Sequence, residues 1–295
     1  MRPTAVIPAL CCAAALVLAF LCLFAGHKKD FMEGYDILTL NVSRLGEGLV
    51  NGTLGSDDST LGSLWNNLPD SIQDDVGEAA GVVTEKLGIE DFYSAHLLDY
   101  CFGQYTPSEA PNATVSASDI HKNVTGCSNQ TAMFWFNPNE IIEKALNSSG
   151  LDVTLDDLEW PEDIQRGLDA LRVVSVTAFV LYCIAIALIF VSFVAALPAI
   201  FAAGRLAACV NLLVSILAFL AIGLASALVT AVIEKGGDVI NEHGSAIGVM
   251  AKKAKKFMAI TWVATALMFI TLLVWTFEMC VGRRRKATYV PAKHG

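Results

Sequence analysis

VVSVTAFVLYCIAIALIFVSFVAAL, residues 173–197, holds no charged side chain, and residues 206–233, LAACVNLLVSILAFLAIGLASALVTAVI, repeat that character almost at once. Crossing about 30 Å of hydrocarbon at 1.5 Å per residue takes roughly 20 helical residues, so each run is long enough to span a bilayer. Little more than Gly204 and Arg205 separates the two, which predicts a tight antiparallel hairpin of membrane helices. Working outward, Ala5 to Gly26 and Phe257 to Val281 have the same length and character. A hydrophobic content of 54% and a mean hydropathy of +0.53 exceed what a soluble chain of 295 residues carries. The expected fold class is an all-α membrane protein, a bundle of four transmembrane helices.

The polar remainder fixes an expected topology. All six Asn-x-Ser/Thr sequons, at Asn41, Asn51, Asn112, Asn123, Asn129 and Asn147, fall between the first and second apolar runs. Oligosaccharide transfer to asparagine occurs on the lumenal side of the secretory membrane, so a loop carrying every sequon reads as exoplasmic. The layout that follows has a cytoplasmic N-terminus over 1–4 and spans at 5–26, 172–203, 206–233 and 257–281. A glycosylated acidic exoplasmic loop covers 27–171, a cytoplasmic turn 204–205, a short exoplasmic loop 234–256 and a basic cytoplasmic tail 282–295. The first run also admits a reading as a cleaved signal peptide, because it follows Arg2 and ends in Phe24, Ala25 and Gly26. Its 22 apolar residues exceed a usual signal core, so an uncleaved span is expected.

Charge agrees in part. Arg283, Arg284, Arg285 and Lys286, directly after the fourth run, follow the positive-inside rule, and Arg2 and Arg205 are consistent with it. Lys252, Lys253, Lys255 and Lys256, just before that run, go against it. Residues 27–171 carry 25 Asp/Glu against 7 Lys/Arg, a net of −18, whereas the whole chain is at −9. Such a loop attracts cations, protons or basic wall polymers, or simply presents a solvated face.

Cysteines follow the same partition. Cys11, Cys12, Cys22, Cys183 and Cys209 lie in apolar runs and Cys280 at the inner end of the last, leaving Cys101 and Cys127 alone in the loop. Two thiols in an oxidising compartment are expected to pair. Cys280, beside the basic patch, fits a palmitoylated thiol over anionic lipid, the other reading being an ordinary apolar cysteine.

Within the loop, Leu38, Leu40 and Val42 alternate with Thr39, Asn41 and Ser43, the period of a half-buried strand. Residues 51–70, rich in Gly, Ser, Asn and Asp, read as coil. Ile72, Val76, Ala80, Val83 and Leu87 repeat at helical spacing behind Pro69. Asn137 with Pro138 is a cap for a helix from Glu140 to Leu146, and Pro161 starts a helix carrying Ile164, Leu168 and Leu171 into the second span. The loop is thus expected to be a small mixed α/β ectodomain.

An enzyme finds little support. His27, His96, His121, His243 and His294 are scattered without metal-ligand spacing, and no nucleophile elbow or phosphate-binding glycine loop is present, so no catalytic residue, metal or cofactor is expected. His96 and Asp99 near Cys101 could be drawn as a site, but packing beside the disulfide is the simpler role. A channel or transporter is the more serious rival, since intramembrane polar groups are costly and functional by default. Asn211 and Glu278 are the candidates, Asn211 as a hydrogen-bonding group between helices and Glu278 as a partner for Arg205. Gly223 with Ala227, and Ala221 with Ala225, have small-xxx-small spacing suited to close helix packing.

The run Asp91-Phe92-Tyr93-Ser94-Ala95-His96-Leu97-Leu98-Asp99-Tyr100-Cys101, then Cys127-Ser128 and Phe134-Trp135-Phe136-Asn137-Pro138, resembles the fungal Sur-type cortical-patch and PalI pH-response family of claudin-like four-span proteins. Tyr35 to Ser43 is similar to that family's segment after its first span. Asn241 to Gly248, with Lys255-Lys256-Phe257 and Thr261-Trp262, is similar to its entry into the fourth. The resemblance implies a claudin-like ectodomain closed by Cys101–Cys127, no catalysis, and a plasma-membrane protein of static, eisosome-associated cortical patches. A helper of ambient-pH sensing is the alternative, weakened by the short tail after Val281. The implied partners are membrane lipids, lateral protein partners or copies of itself, and the cell wall, with no nucleic acid.

Overall fold

The computed structural model describes residues 3–29, 31–43, 89–106, 120–137, 140–141, 144, 162–201, 205–244 and 249–287. The coil expected over 51–70, the helix expected over 72–87, Asn51, Asn112, Asn147 and Pro138 lie outside them, as do the side chains of Arg205 and Arg283 to Lys286. The chain divides into two compact units: Met1–Phe24, Thr177–Val229 and Phe257–Gly295 form the first, and Ala25–Val176 with Thr230–Lys256 the second.

The first unit is built from α1 (Val6–Phe24) and the greater part of three long helices, α2 (Glu162–Phe201), α3 (Arg205–Ala231) and α5 (Lys255–Ala287), whose residues 162–176, 230–231 and 255–256 fall in the second. Four stretches are long and apolar enough to cross a membrane, Val6–Phe24, Asp169–Phe201, Leu206–Glu242 and Lys255–Cys280. Small side chains bring the helices together, with Ala5, Ala9, Ala196 and Ala199 packed around the fully buried Trp275. Large apolar groups point the other way. Phe20, Phe190, Leu217, Leu224, Phe269 and Phe277 are exposed, as residues facing hydrocarbon rather than water would be.

Polar groups inside the bundle pair with one another. Ser226 Oγ lies 2.7 Å from Thr261 Oγ1 and 2.9 Å from Thr265 Oγ1, and Tyr182 also bonds Thr261. Deeper along the helices, Ser192 Oγ lies 3.0 Å from Ser215 Oγ. Asn211 Nδ2 donates to the carbonyls of Ala195, at 3.2 Å, and Ala207, at 2.9 Å, which ties α3 to α2 as expected. Thr4 bonds Glu278. The expected list of two intramembrane polar residues was therefore too short, because hydroxyls scattered over three sequence-distant runs meet only after the helices pack.

The second unit is organised by one antiparallel sheet in the order β4-β3-β2-β1-β5. Its strands are β1 (Leu38–Asn41), β2 (Phe92–Ala95), β3 (Tyr100–Thr106), β4 (His121–Cys127) and β5 (Met250–Lys253). After α3, the π-helical turn Val232–Gly236 and α4 (Gly237–Gly244) lead into β5, so the segment expected as a short loop is largely regular structure. The lysines that ran against the charge rule are thereby placed: Lys252 pairs with Thr39 and Lys253 with Leu38 in the register of β5 on β1. Lys253 Nζ also holds Glu234 at 2.6 Å and Asp238 at 2.8 Å.

β1 departs from the half-buried expectation. Thr39 and Leu40, on opposite faces, are each 1% exposed, because the strand sits between β2 and β5 with side chains packed over both faces. Helix α2 starts at Glu162, directly behind Pro161, as its position predicts. At Asn137 the main chain does the expected job, its carbonyl accepting from Ile141 N at 3.2 Å, whereas its buried Oδ1 makes no hydrogen bond.

Candidate functional site

The motif around Cys101 folds as a hairpin. Phe92–Ala95 pairs with Tyr100–Gly103, and His96 N donates to Asp99 O at 2.9 Å to close the turn between them. The turn carries no Gly, Pro or Asn; Leu97 and Leu98 at its centre are buried instead. Asp91 pins the base of the hairpin, accepting from Val42 N through its carbonyl and from Tyr105 N through Oδ2, both at 2.9 Å. Cys101 stands directly opposite Cys127 across β3 and β4, and the two form the disulfide, with a Cα–Cα distance of 3.9 Å. Closing 26 residues of sequence in this way contributes about 3.5 kcal/mol by the chain-entropy model. Ser128 continues the clasp, its N and Oγ both bonded to the main chain of Tyr100.

Register divides the motif between two faces, since residues opposite one another in a sheet share a face. Leu38, Leu40, Tyr93, Ala95, Tyr100 and Phe102 share one. There the Tyr100 ring is the hub, with Tyr93, Phe102, Phe134 and Phe136 at ring-centroid separations between 6.1 and 6.3 Å. Burial pushes the Tyr93 hydroxyl up to about 12, so it stays protonated. Trp135 points elsewhere, stacking under the Arg172 guanidinium at 5.4 Å.

Thr39, Ser94, Phe92, Tyr105, Lys122 and the disulfide share the other face. Lys122 Nζ donates to Thr39 Oγ1 at 2.6 Å and Ser94 Oγ at 3.1 Å and lies 5.0 Å from the centre of the Phe92 ring. Thr39 in turn donates to the Asp36 carboxylate, and both are buried. Burial lowers the Lys122 ammonium below its usual range, opposed by the negative charges of Asp36 and Glu33. A half-buried amine held by two hydroxyls, one of which passes the contact on to the Asp36 carboxylate, gives this face a fixed polar core, the arrangement that defines a unique packing when satisfied.

Two neighbouring groups are differently placed. Both ring nitrogens of His96 and both carboxylate oxygens of Asp99 are buried and make no well-formed hydrogen bond. Burial drives His96 down to about 4, against the pull of Asp36 and the Tyr35 main chain. The same cause pushes the Asp99 carboxyl up to about 7. His96 is clamped from outside as well, for Gly26 adopts φ +79° and a Cβ there would fall 2.3 Å from the ring.

The sequons separate by position. Asn41 is half-buried in the inner strand β1, its Oδ1 accepting from Ser43 N at 3.0 Å and Ser43 Oγ at 2.7 Å. Asn123 and Asn129 are exposed. Cys280 is exposed near the end of α5. No group of three or more His, Cys, Asp or Glu side chains could hold a metal ion among the described residues. Sequence reasoning placed Asp91 to Ser94, Tyr100, Phe134 to Phe136 and the cysteines in one motif; the structure puts Phe92 to Ser94, Tyr100 and both cysteines in strands of one sheet, sets Phe134 and Phe136 against the Tyr100 ring, and turns Trp135 to Arg172. It missed Asp36, Thr39, Lys122 and Gly26; the signal available was that Lys122 is one of only 7 basic residues in the loop.

A family model described as the SUR7/PalI family matches residues 4–274. No curated protein and no solved structure matches the chain.

Proposed function

The chain belongs to the SUR7/PalI family, and from that premise we propose that it is a non-enzymatic plasma-membrane protein that organises cortical patches, with its sheet unit on the cell surface. The observation that carries this reading is the treatment of polarity in the helical unit. Ser192, Ser215, Ser226, Thr261 and Thr265 satisfy one another in the interior, while large apolar side chains are left on the outside. Helices so arranged favour close packing and lateral contact over a wetted path. The sheet supplies the surface-exposed part, kept rigid by the disulfide, the Tyr100 ring cluster and the Lys122 core. Cys280 and the basic residues 283–286 supply the inner-leaflet contact, and the acidic loop offers a face for cations or basic wall polymers.

Fluorescent tagging with photobleaching tests the proposal. Immobile cortical patches are expected. An evenly spread, freely diffusing protein whose deletion blocks growth at alkaline pH would replace it with the second reading, a helper of ambient-pH sensing. That reading has its own support in Asp99, whose buried carboxyl titrates near neutrality.

A further inference from the structure

The two edges of the sheet are finished differently. At β5, the Asn241 side chain donates to Ala251 O at 3.1 Å and accepts from Ala251 N at 2.7 Å, so one amide takes the place of a neighbouring strand. Lys252 and Lys253 add charge to the same strand, a familiar way of discouraging further pairing. β4 borders β3 alone among the described strands. Along it Lys122 reaches inward and Val124 is buried, while His121, Asn123 and Thr125 are exposed. Asn123-Val124-Thr125 is a glycosylation sequon, set in the middle of this edge strand rather than in a loop.

We infer that Asn123 carries an N-linked oligosaccharide that shields the β4 edge and prevents pairing with the β4 edge of a second copy of this chain. The inference rests on the exoplasmic placement of the sheet proposed above. In the transfer, Asn123 Nδ2 attacks the anomeric carbon of a lipid-diphosphate-linked oligosaccharide. The carbon–nitrogen bond forms, the carbon–oxygen bond to phosphate breaks, the lipid diphosphate leaves with the electron pair, and Nδ2 loses one proton. The acceptor hydroxyl is engaged once folding is complete: Thr125 Oγ1 donates to Glu90 Oε1 at 2.9 Å and contacts Phe102 O at 3.2 Å. Transfer therefore precedes closure of β4 onto β3. A bulky, hydrated glycan on the outermost of the described strands then does for β4 what the Asn241 amide does for β5.

Two measurements on the full-length protein, purified in its native membrane or in nanodiscs, decide the matter. Enzymatic deglycosylation in heavy-oxygen water followed by peptide mass spectrometry is expected to label Asn123. The Asn123→Gln variant, with its Cys101–Cys127 disulfide verified intact, is expected to shift to a larger species by native mass measurement. Thr125→Ser, which keeps the sequon and the hydroxyl, is expected to match the wild type in both. An unlabelled Asn123 beside a labelled Asn129 overturns the inference while leaving the exoplasmic placement standing. Absence of label at every sequon overturns both. A labelled Asn123 whose loss leaves the size of the particle unchanged overturns the shielding role.

Discussion

Gly26 illustrates how much a single position decides. With φ at +79° and no room for a Cβ beside His96, it combines a left-handed backbone with a close approach. Gly26→Ala is expected to destabilise the sheet unit by about 2 to 4 kcal/mol, measured by thermal or denaturant unfolding in detergent. Adding His96→Ala should recover part of that loss, the part due to the clash. His96 and Asp99 themselves give stability a pH dependence of known sign. The His96 pKa falls on folding, so its contribution is present above its ordinary value and is lost as pH drops toward about 4. Asp99 is raised, so its contribution is present at low pH and is lost as pH climbs from its ordinary range through about 7. Between about pH 4 and 6.5 the two slopes oppose one another, so the wild-type melting temperature should change little there from this pair, whereas Asp99→Asn should leave the His96 contribution alone and give a melting temperature that rises with pH. A profile in the variant as flat as that of the wild type would assign the effect to other groups.

At the scale of elements, β5 is the test of how the sheet is completed. Asn241→Leu leaves Ala251 N–H and C=O without their side-chain partner and should cost roughly 1 to 3 kcal/mol. Hydrogen exchange at the Ala251 amide is expected to accelerate while that of β2 and β3 changes little. The four apolar helices were legible in the sequence because hydrocarbon imposes length and composition together, and the disulfide because six of the eight cysteines lie in or at the end of apolar runs. β2 and β3 were legible only as a motif. Their turn, His96 to Asp99, has two buried leucines where turn residues would signal a hairpin, so the run reads as continuous. β5 was hidden for a different reason: Ala251-Lys252-Lys253 looks like the charged flank of a membrane span, and its pairing with Leu38 to Asn41 spans more than two hundred residues. The Lys122 core escaped notice because Asp36 with Thr39, Ser94 and Lys122 come from three separate segments that only strand order brings together.

For the whole molecule, sheet register constrains topology. β1 pairs with β2 on one side and β5 on the other, so residues 38–41, 92–95 and 250–253 belong to the same compartment. Two of the four apolar helices, α2 and α3, separate β4 from β5, an even number of crossings that returns the chain to where it left. The lysines at 252 and 253 therefore share a side of the membrane with residues 38–41 and 92–95. Flux measurements on liposomes should find no conductance that depends on Asn211, because its side chain is buried and its Nδ2 is spent on the Ala195 and Ala207 carbonyls. A conductance abolished by Asn211→Leu would restore the channel reading.

Sidedness is tested most directly by inserting a recognition sequence for a site-specific protease into residues 107–119 and adding the protease to intact cells. Cleavage without permeabilisation, giving fragments joined until the Cys101–Cys127 disulfide is reduced, is the predicted result. Cleavage only after the membrane is opened would place the sheet in the cytosol and contradict a surface role.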